Sequence, residues 1–291
     1  MIPASFDYHC PSTLQEAFSM SKELGDEAKY MSGGHSLIPM MKLRFAEPAH
    51  IIDISRIQGL NYIKEEDGIL KIGALTTEAD LEFSDLCRDK YPILVDVSKL
   101  IGDPSVRNKA TVCGNLAHGD AANDHPAVML ALKANIVAEG PNGTHNIPVD
   151  EFFKGFYETA LEQHEILIEI QIPATKAGNG GAYNKIERKV GDYATSGVAV
   201  NLTVDTSDTV LDIGIGLTNV NPIPMRVSRA EEALKGNKLA QELIEKVGKI
   251  AGEDCSPTAD LRGSEDYKRS ITKELTIRMI NKAWVRAKAS L

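Results

Sequence analysis

Two stretches put bare backbone and small polar side chains side by side: Ser32-Gly33-Gly34-His35-Ser36, running on to Leu37, and Thr111-Val112-Cys113-Gly114-Asn115. Glycine permits positive φ and lets a ligand approach the N–H groups closely. Successive N–H groups in such a loop form a concave anion site, strengthened where a helix begins. "SLIPMMKLRF" can supply that helix start directly after the first loop. The chemistry suits a pyrophosphate. A plain Gly-Gly turn is the competing reading, and on the first loop alone it is the stronger one. The G-x-G-x-x-G pattern of a dinucleotide-binding βαβ unit is absent. In the second loop Gly114 again offers bare backbone, and Asn115 carries both a donor and an acceptor.

Three further residues could serve the same site. Asp124, before His125-Pro126, can accept from ribose hydroxyls or cap its own helix, and capping is the commoner role. Lys185 alternates with Tyr183 and Glu187 in "AYNKIER", so the three share one strand face. Tyr193 follows Gly191-Asp192, a hairpin-turn pattern with a half-buried tyrosine as the bland alternative.

The bulk of the chain narrows the function classes. It has 291 residues, 43% hydrophobic, enough for a sizeable core and for more than one domain. The net charge of −9 argues against a nucleic-acid partner, and it leaves any anionic ligand to be held by local features. Four scattered cysteines, none in a C-x-x-C pair, carry no iron–sulfur signal. The densest histidine patch, "HGDAANDH", lacks zinc-ligand spacing, so no metal is expected. "MIPASFDYHCPS" has neither a charged n-region nor an apolar h-region, and no apolar run approaches the ~18 residues of a membrane span. The cytoplasm is the expected compartment.

The elements around the loops read as follows. "STLQEAFSMSKELG" is a helix with a capping box from Ser12 to Gln15 and a stop at Gly25. "AKYM", "HIIDIS" and "ILKIGAL" are short strands. Thr77 caps a helix, and Pro92 opens another in "YPILVDVSKLIG". "NKATVCGNLAHG" starts like a strand, and a helix begins at Asp124. "NIVAEG" and "HNIPV" form a hairpin. "EILIEIQIP" alternates with period two and is the clearest strand. A small-residue break follows at 174–181. Beyond it come strands in "GAYNKIER", "ATSGVAVNLTVD" and "TVLDIGIGLTNV", then helices to the end. This is α+β organisation. The terminal "TKELTIRMINKAWVRAKASL" reads as a core-packed helix with a basic outer face, in preference to a membrane-surface helix.

Taken together, "SGGHSLIPMMKLRFAEPAHIIDI", "IGALTTEADL", "VRNKATVCGNLAHGDAANDHPA", "EGPNG", "EIQIP", "YNKIERKVGDYATSGVAV" and "DLRGSEDYKRSITKEL" resemble, in order and spacing, one family over nearly the whole chain. It is the FAD-binding medium subunits of the xanthine dehydrogenase-type molybdenum hydroxylases, the carbon-monoxide dehydrogenase-like members most of all. The resemblance implies an FAD-binding PCMH-type, vanillyl-alcohol oxidase-like fold: an FAD-binding domain over 1–175, with α+β subdomains of about 1–55 and 56–175, and a C-terminal domain of antiparallel strands plus helices over 178–291. It places the pyrophosphate on Ser32, Gly33, Gly34, His35, Ser36 and Leu37, with the second phosphate loop on Thr111, Gly114 and Asn115. It places Asp124 toward the ribose or adenine end, Lys185 near the flavin ring and Tyr193 beside the isoalloxazine. One departure matters. The second loop is usually T-x-G-G-[ND], and Cys113 stands at the first glycine. If that position needs positive φ, Cys113 is strained.

The resemblance further implies an electron-transfer role. The chain would take electrons from the clusters of an iron–sulfur small subunit, served by a molybdenum-cofactor large subunit in a dimer of heterotrimers, and pass them through FAD to an external acceptor. It would not act on substrate alone, and no side chain need serve as a catalytic base. Two rivals stay open: a self-sufficient FAD reductase of related fold, and a cofactor-free structural subunit, for which Cys113 is the only support.

Overall fold

The computed structural model describes all 291 residues. Its first sheet is parallel and three-stranded. His50–Asp53 lies between Asp7–His9 and Ala28–Met31, and the helix Leu14–Leu24 buries Ala17 and Phe18 against it. The helix begins one residue later than its sequence predicts. Thr13 caps Glu16 N–H, and Glu16 reaches back to the Ser12 N–H, so the reciprocal box is shifted by one position. Gly25 ends the helix at φ 65°, as read.

The second sheet is antiparallel and five-stranded, in the order Ile63–Glu66, Ile69–Gly73, Ile166–Pro173, Asn135–Gly140 and Gly143–Pro148. The strand with the clearest alternation is its centre, where Ile170 and Ile172 are fully buried. Each such side chain contributes about 1.5–3 kcal/mol by leaving water. The predicted Thr77 cap is present and forms a full capping box with Asp80.

The third sheet is antiparallel: Asn179–Ile186, Ser196–Val204, Val210–Thr218 and Met225–Arg226. One face carries the helix Glu265–Ala289, which buries its Leu275, Met279, Ile280 and Ala283, and the helix Gln241–Asp254 packs against that helix. The terminal helix is therefore a core helix, as expected. The other face receives the helix His125–Leu132, every residue of which is buried. A helix apolar on all sides belongs between layers, and Tyr183 and Ala199 of the third sheet join the core of the second. No helix is long and apolar enough to cross a membrane.

One element differs in kind from its sequence reading. Val112–Ala117 is helical rather than strand-like. Thr111 keeps extended backbone, bridges to Thr77 and caps the new helix through Gly114 N–H at 3.2 Å. The valine and cysteine that suggest a strand are instead buried on one side of a short helix.

Candidate functional site: a cavity between two glycine loops

Fold position joins the two loops. Ile54 N–H to Met31 O and Val112 N–H to Thr76 O anchor their flanks. Ser32 Oγ then lies 2.8 Å from Thr111 Oγ1. The first loop passes so close to the second that a Cβ on Gly33 would stand 2.1 Å from the Lys109 carbonyl, and Gly34 has φ +73°. Both positions therefore require glycine. The helix Leu37–Leu43 follows, with Ser36 at its cap position and no side chain satisfying the first turn.

The loops open into a cavity of about 560 Å³, within the ~300–1,000 Å³ of typical small-molecule sites. Ser32, Gly33, Gly34, His35, Ser36 and Leu37 line it, and so do Thr111, Gly114 and Asn115. The N–H groups of Gly33, Gly34, His35 and Ser36 donate to no other protein group. His35 turns its imidazole to the Gly33 carbonyl at 2.9 Å, so the ring braces the loop. The Asn115 side-chain oxygen is buried and has no donor. Buried polar atoms are normally paired. A wall with free backbone donors on one side and an orphaned acceptor on the other fits an elongated ligand carrying both a diphosphate and N–H or O–H donors, as FAD does.

Cys113 shows no strain. It sits in the helix with negative φ, and its thiol points at the carbonyls of Ile72 and Gly73. Burial raises its pKa, so it stays a thiol. The expected conflict at this position does not arise, because a helical residue needs no glycine.

Asp124, Lys185 and Tyr193 are not among the cavity's lining residues. Asp124 occupies the cap position but makes no capping bond. Its Oδ2 accepts from Lys185 Nζ at 2.9 Å and its Oδ1 from the Tyr183 hydroxyl at 2.5 Å. Burial is the largest influence on this carboxyl and raises its pKa, while Lys185 and Tyr183 favour the ionised form. Burial and Asp124 together keep the Tyr183 phenol protonated. Lys185 is buried, contrary to the usual solvated lysine. Its ammonium donates to Asp124 and to the Asp192 carbonyl at 2.9 Å, and Glu187 Oε2 adds a charge contact at 3.3 Å. The shared face of Tyr183, Lys185 and Glu187 is as read. Tyr193 is 42% exposed, on the turn that Lys185 holds.

Sequence reasoning missed several groups here. His118 and Tyr157 also line the cavity, their rings 5.0 Å apart. Tyr157 donates to Asp120 at 3.2 Å, and burial with that carboxylate pushes its hydroxyl up to about 12. Asn123 donates to the Asn115 carbonyl at 2.8 Å and so links the second loop to Asp124. His118, Asp120 and Asn123 all lie in the histidine-rich patch 118–125, of which Asp124 alone reads as a ligand-facing residue. Tyr157 stands on a hairpin tip with no sequence signal.

Residues 4–175 match the model of the FAD binding domain in molybdopterin dehydrogenase, and residues 181–283 that of the CO dehydrogenase flavoprotein C-terminal domain. The carbon monoxide dehydrogenase medium chain of Hydrogenophaga pseudoflava is 45% identical over 98% of this chain and 99% of its own. That of Afipia carboxidovorans is 40% identical over 99% and 100%. A solved carbon monoxide dehydrogenase from H. pseudoflava, lacking the Mo-pyranopterin moiety of its cofactor, superposes with TM-score 0.95 at 47% identity, covering 98% of this chain and 99% of that one.

Proposed function

Because the chain belongs to the FAD-binding medium subunits of the carbon-monoxide-dehydrogenase-type molybdenum hydroxylases, we propose that it is the electron-transfer subunit of such a complex. In this reading it stands between the iron–sulfur clusters of a small subunit, fed by a molybdenum-cofactor large subunit, and an external acceptor. The complex is a dimer of heterotrimers. Residues 1–175 form the FAD-binding domain, with subdomains of about 1–55 and 56–175, and residues 178–291 the domain that closes over it.

Bound FAD supplies a redox centre that exchanges one or two electrons. This chain's residues supply binding and surroundings. The free N–H groups from Gly33 to Ser36, with Leu37 opening the helix behind them, hold the pyrophosphate, and Ser32 and Thr111 lock the two loops together. Gly114 leaves room and Asn115 accepts from the ligand. Tyr193 stands at the isoalloxazine. Asp124 and Lys185 serve the site chiefly from behind: Lys185 fixes the Asp192–Tyr193 turn, and Asp124 neutralises it.

The observation that carries this reading is the pairing of unmatched N–H donors with an orphaned Asn115 acceptor across one cavity. The cofactor-free rival loses its support with the unstrained Cys113. The test is purification of the complex from native cells with flavin and metal analysis. FAD, iron and molybdenum should co-elute in constant ratio. A chain that carries FAD and reduces an acceptor without any iron–sulfur or molybdenum subunit would favour the self-sufficient reductase.

A further inference from the structure

The segment Asp260-Leu261-Arg262-Gly263 belongs to one of the stretches that carry the family likeness, yet nothing above gives it a role. It is a tight turn. Asp260 Oδ1 accepts from the N–H groups of Arg262 at 2.7 Å and Gly263 at 3.2 Å. Lys268, 1% exposed in the first turns of the helix Glu265–Ala289, donates to Asp260 Oδ2 at 2.8 Å. Its backbone held in this way, Arg262 reaches the turn between the first two strands of the third sheet. There its Nη2 lies 3.1 Å from Asp192 Oδ1, and its guanidinium carbon lies 5.9 Å from the centre of the Tyr193 ring. Arg188 takes the other Asp192 oxygen at 3.2 Å, and Lys185 takes the Asp192 carbonyl.

Arg262 Nε is buried and has no acceptor. An unmatched buried donor is destabilising, so the side chain is not placed there by its own hydrogen-bond satisfaction. What its placement does serve is the Asp192 carboxylate and the Tyr193 face together. A planar, permanently charged guanidinium can do both at once, and a lysine ammonium does so less well.

We propose that Arg262 is a positioning residue for the flavin, holding the Tyr193 ring at the isoalloxazine end of the site while Asp260 and Lys268 act as its strut. The proposal rests on the placement of Tyr193 given under the proposed function. It makes the C-terminal turn a part of the cofactor site without contact to the cofactor.

The test uses the FAD-loaded full-length protein, with the subunits that accompany it, and reads the visible circular dichroism of the bound flavin beside its FAD content. Tyr193→Ala should change the flavin signal. Arg262→Met should change it in the same direction with FAD retained, since losing an exposed cation–π contact lowers the equilibrium constant for the ordered Tyr193 ring about three-fold. Arg262→Lys should recover part of the signal, and Arg262→Met should add nothing in the Tyr193→Ala background. A parental spectrum in Arg262→Met, or effects that add in the double variant, overturns the proposal and leaves Tyr193 at the ring. An unchanged flavin signal in FAD-loaded Tyr193→Ala overturns the placement of Tyr193, and the proposal with it. If Arg262→Met does not fold, Asp192→Asn applies the same test from the other partner, and an unchanged signal there is equally fatal.

Discussion

The glycine-loop cavity and the Asp124–Lys185–Tyr183 knot lie close together in the chain's fold and are built on opposite terms. In the cavity the main chain is left unsatisfied: four consecutive N–H groups lack acceptors, and Asn115 Oδ1 lacks a donor. In the knot Lys185 faces two carboxylates and a carbonyl, and both oxygens of Asp124 are used. Polar groups that await a ligand must stay unpaired, whereas buried charges that hold a frame must be paired or the fold is lost. The difference separates residues that touch a cofactor from residues that place those that do.

The sharpest way to break this contrast is Lys185→Met. If the knot is a frame, the variant loses about 3–5 kcal/mol of stability in denaturant unfolding, because Asp124 is left buried and unpaired. Adding Asp124→Asn should restore much of it. A Lys185→Met protein of parental stability that has merely lost FAD would move Lys185 to the ligand side.

Next comes Gly34→Val. Forcing a β-branched residue to positive φ strains the backbone by about 1–3 kcal/mol, which should appear as roughly ten- to a hundred-fold weaker FAD binding by flavin titration. His35→Ala should keep FAD affinity within about two-fold, since only the brace to Gly33 is lost. The reverse pattern would mean that the imidazole, not the backbone, holds the ligand.

Asn115→Ala should weaken FAD about ten-fold with stability unchanged, the scale of one hydrogen bond. Equal loss of stability and affinity would place Asn115 in the frame.

The smallest effect expected is with pH. Burial alone would raise the Asp192 carboxyl, but Arg262, the Tyr193 N–H and Arg188 together hold it below the usual carboxylate range. A depressed folded pKa contributes stability that is present above the unfolded value and lost as pH falls through the folded one. Hydrogen-exchange protection across 188–195, measured against the intrinsic rate at each pH, should therefore fall below about pH 4. No change there would mean that the turn is held by other contacts.

Much of this was legible in the residues. The alternation of Ile166 to Ile172 marks the central strand, because a strand with two unlike faces must alternate. Gly33 and Gly114 stand where a side chain would meet the facing loop, and Gly34 stands at positive φ. The likeness of the ordered motifs reached the family. Other features were not legible. Val112 and Cys113 suit a strand or a buried helix face equally well, and the extended Thr111 before them decided for the helix by capping it. Asp124 followed by His-Pro looks like a cap, yet a buried lysine 61 positions away is the stronger partner. Tyr157 and Arg262 belong to a hairpin tip and a terminal turn, and local pattern says nothing of where such tips land.

The sequence by itself determined most of the strands and helices, where bare backbone stands, and which family the motifs resemble, since periodicity, capping and glycine act over a few residues. Tertiary structure alone decided that residues 32 and 111 share one cavity, that Lys185 is spent on Asp124, Glu187 and Asp192, and that Arg262 reaches Tyr193. These are long-range pairings of polar groups. They are chosen by what burial leaves unmatched once the sheets have packed, and no local stretch of the chain encodes that remainder.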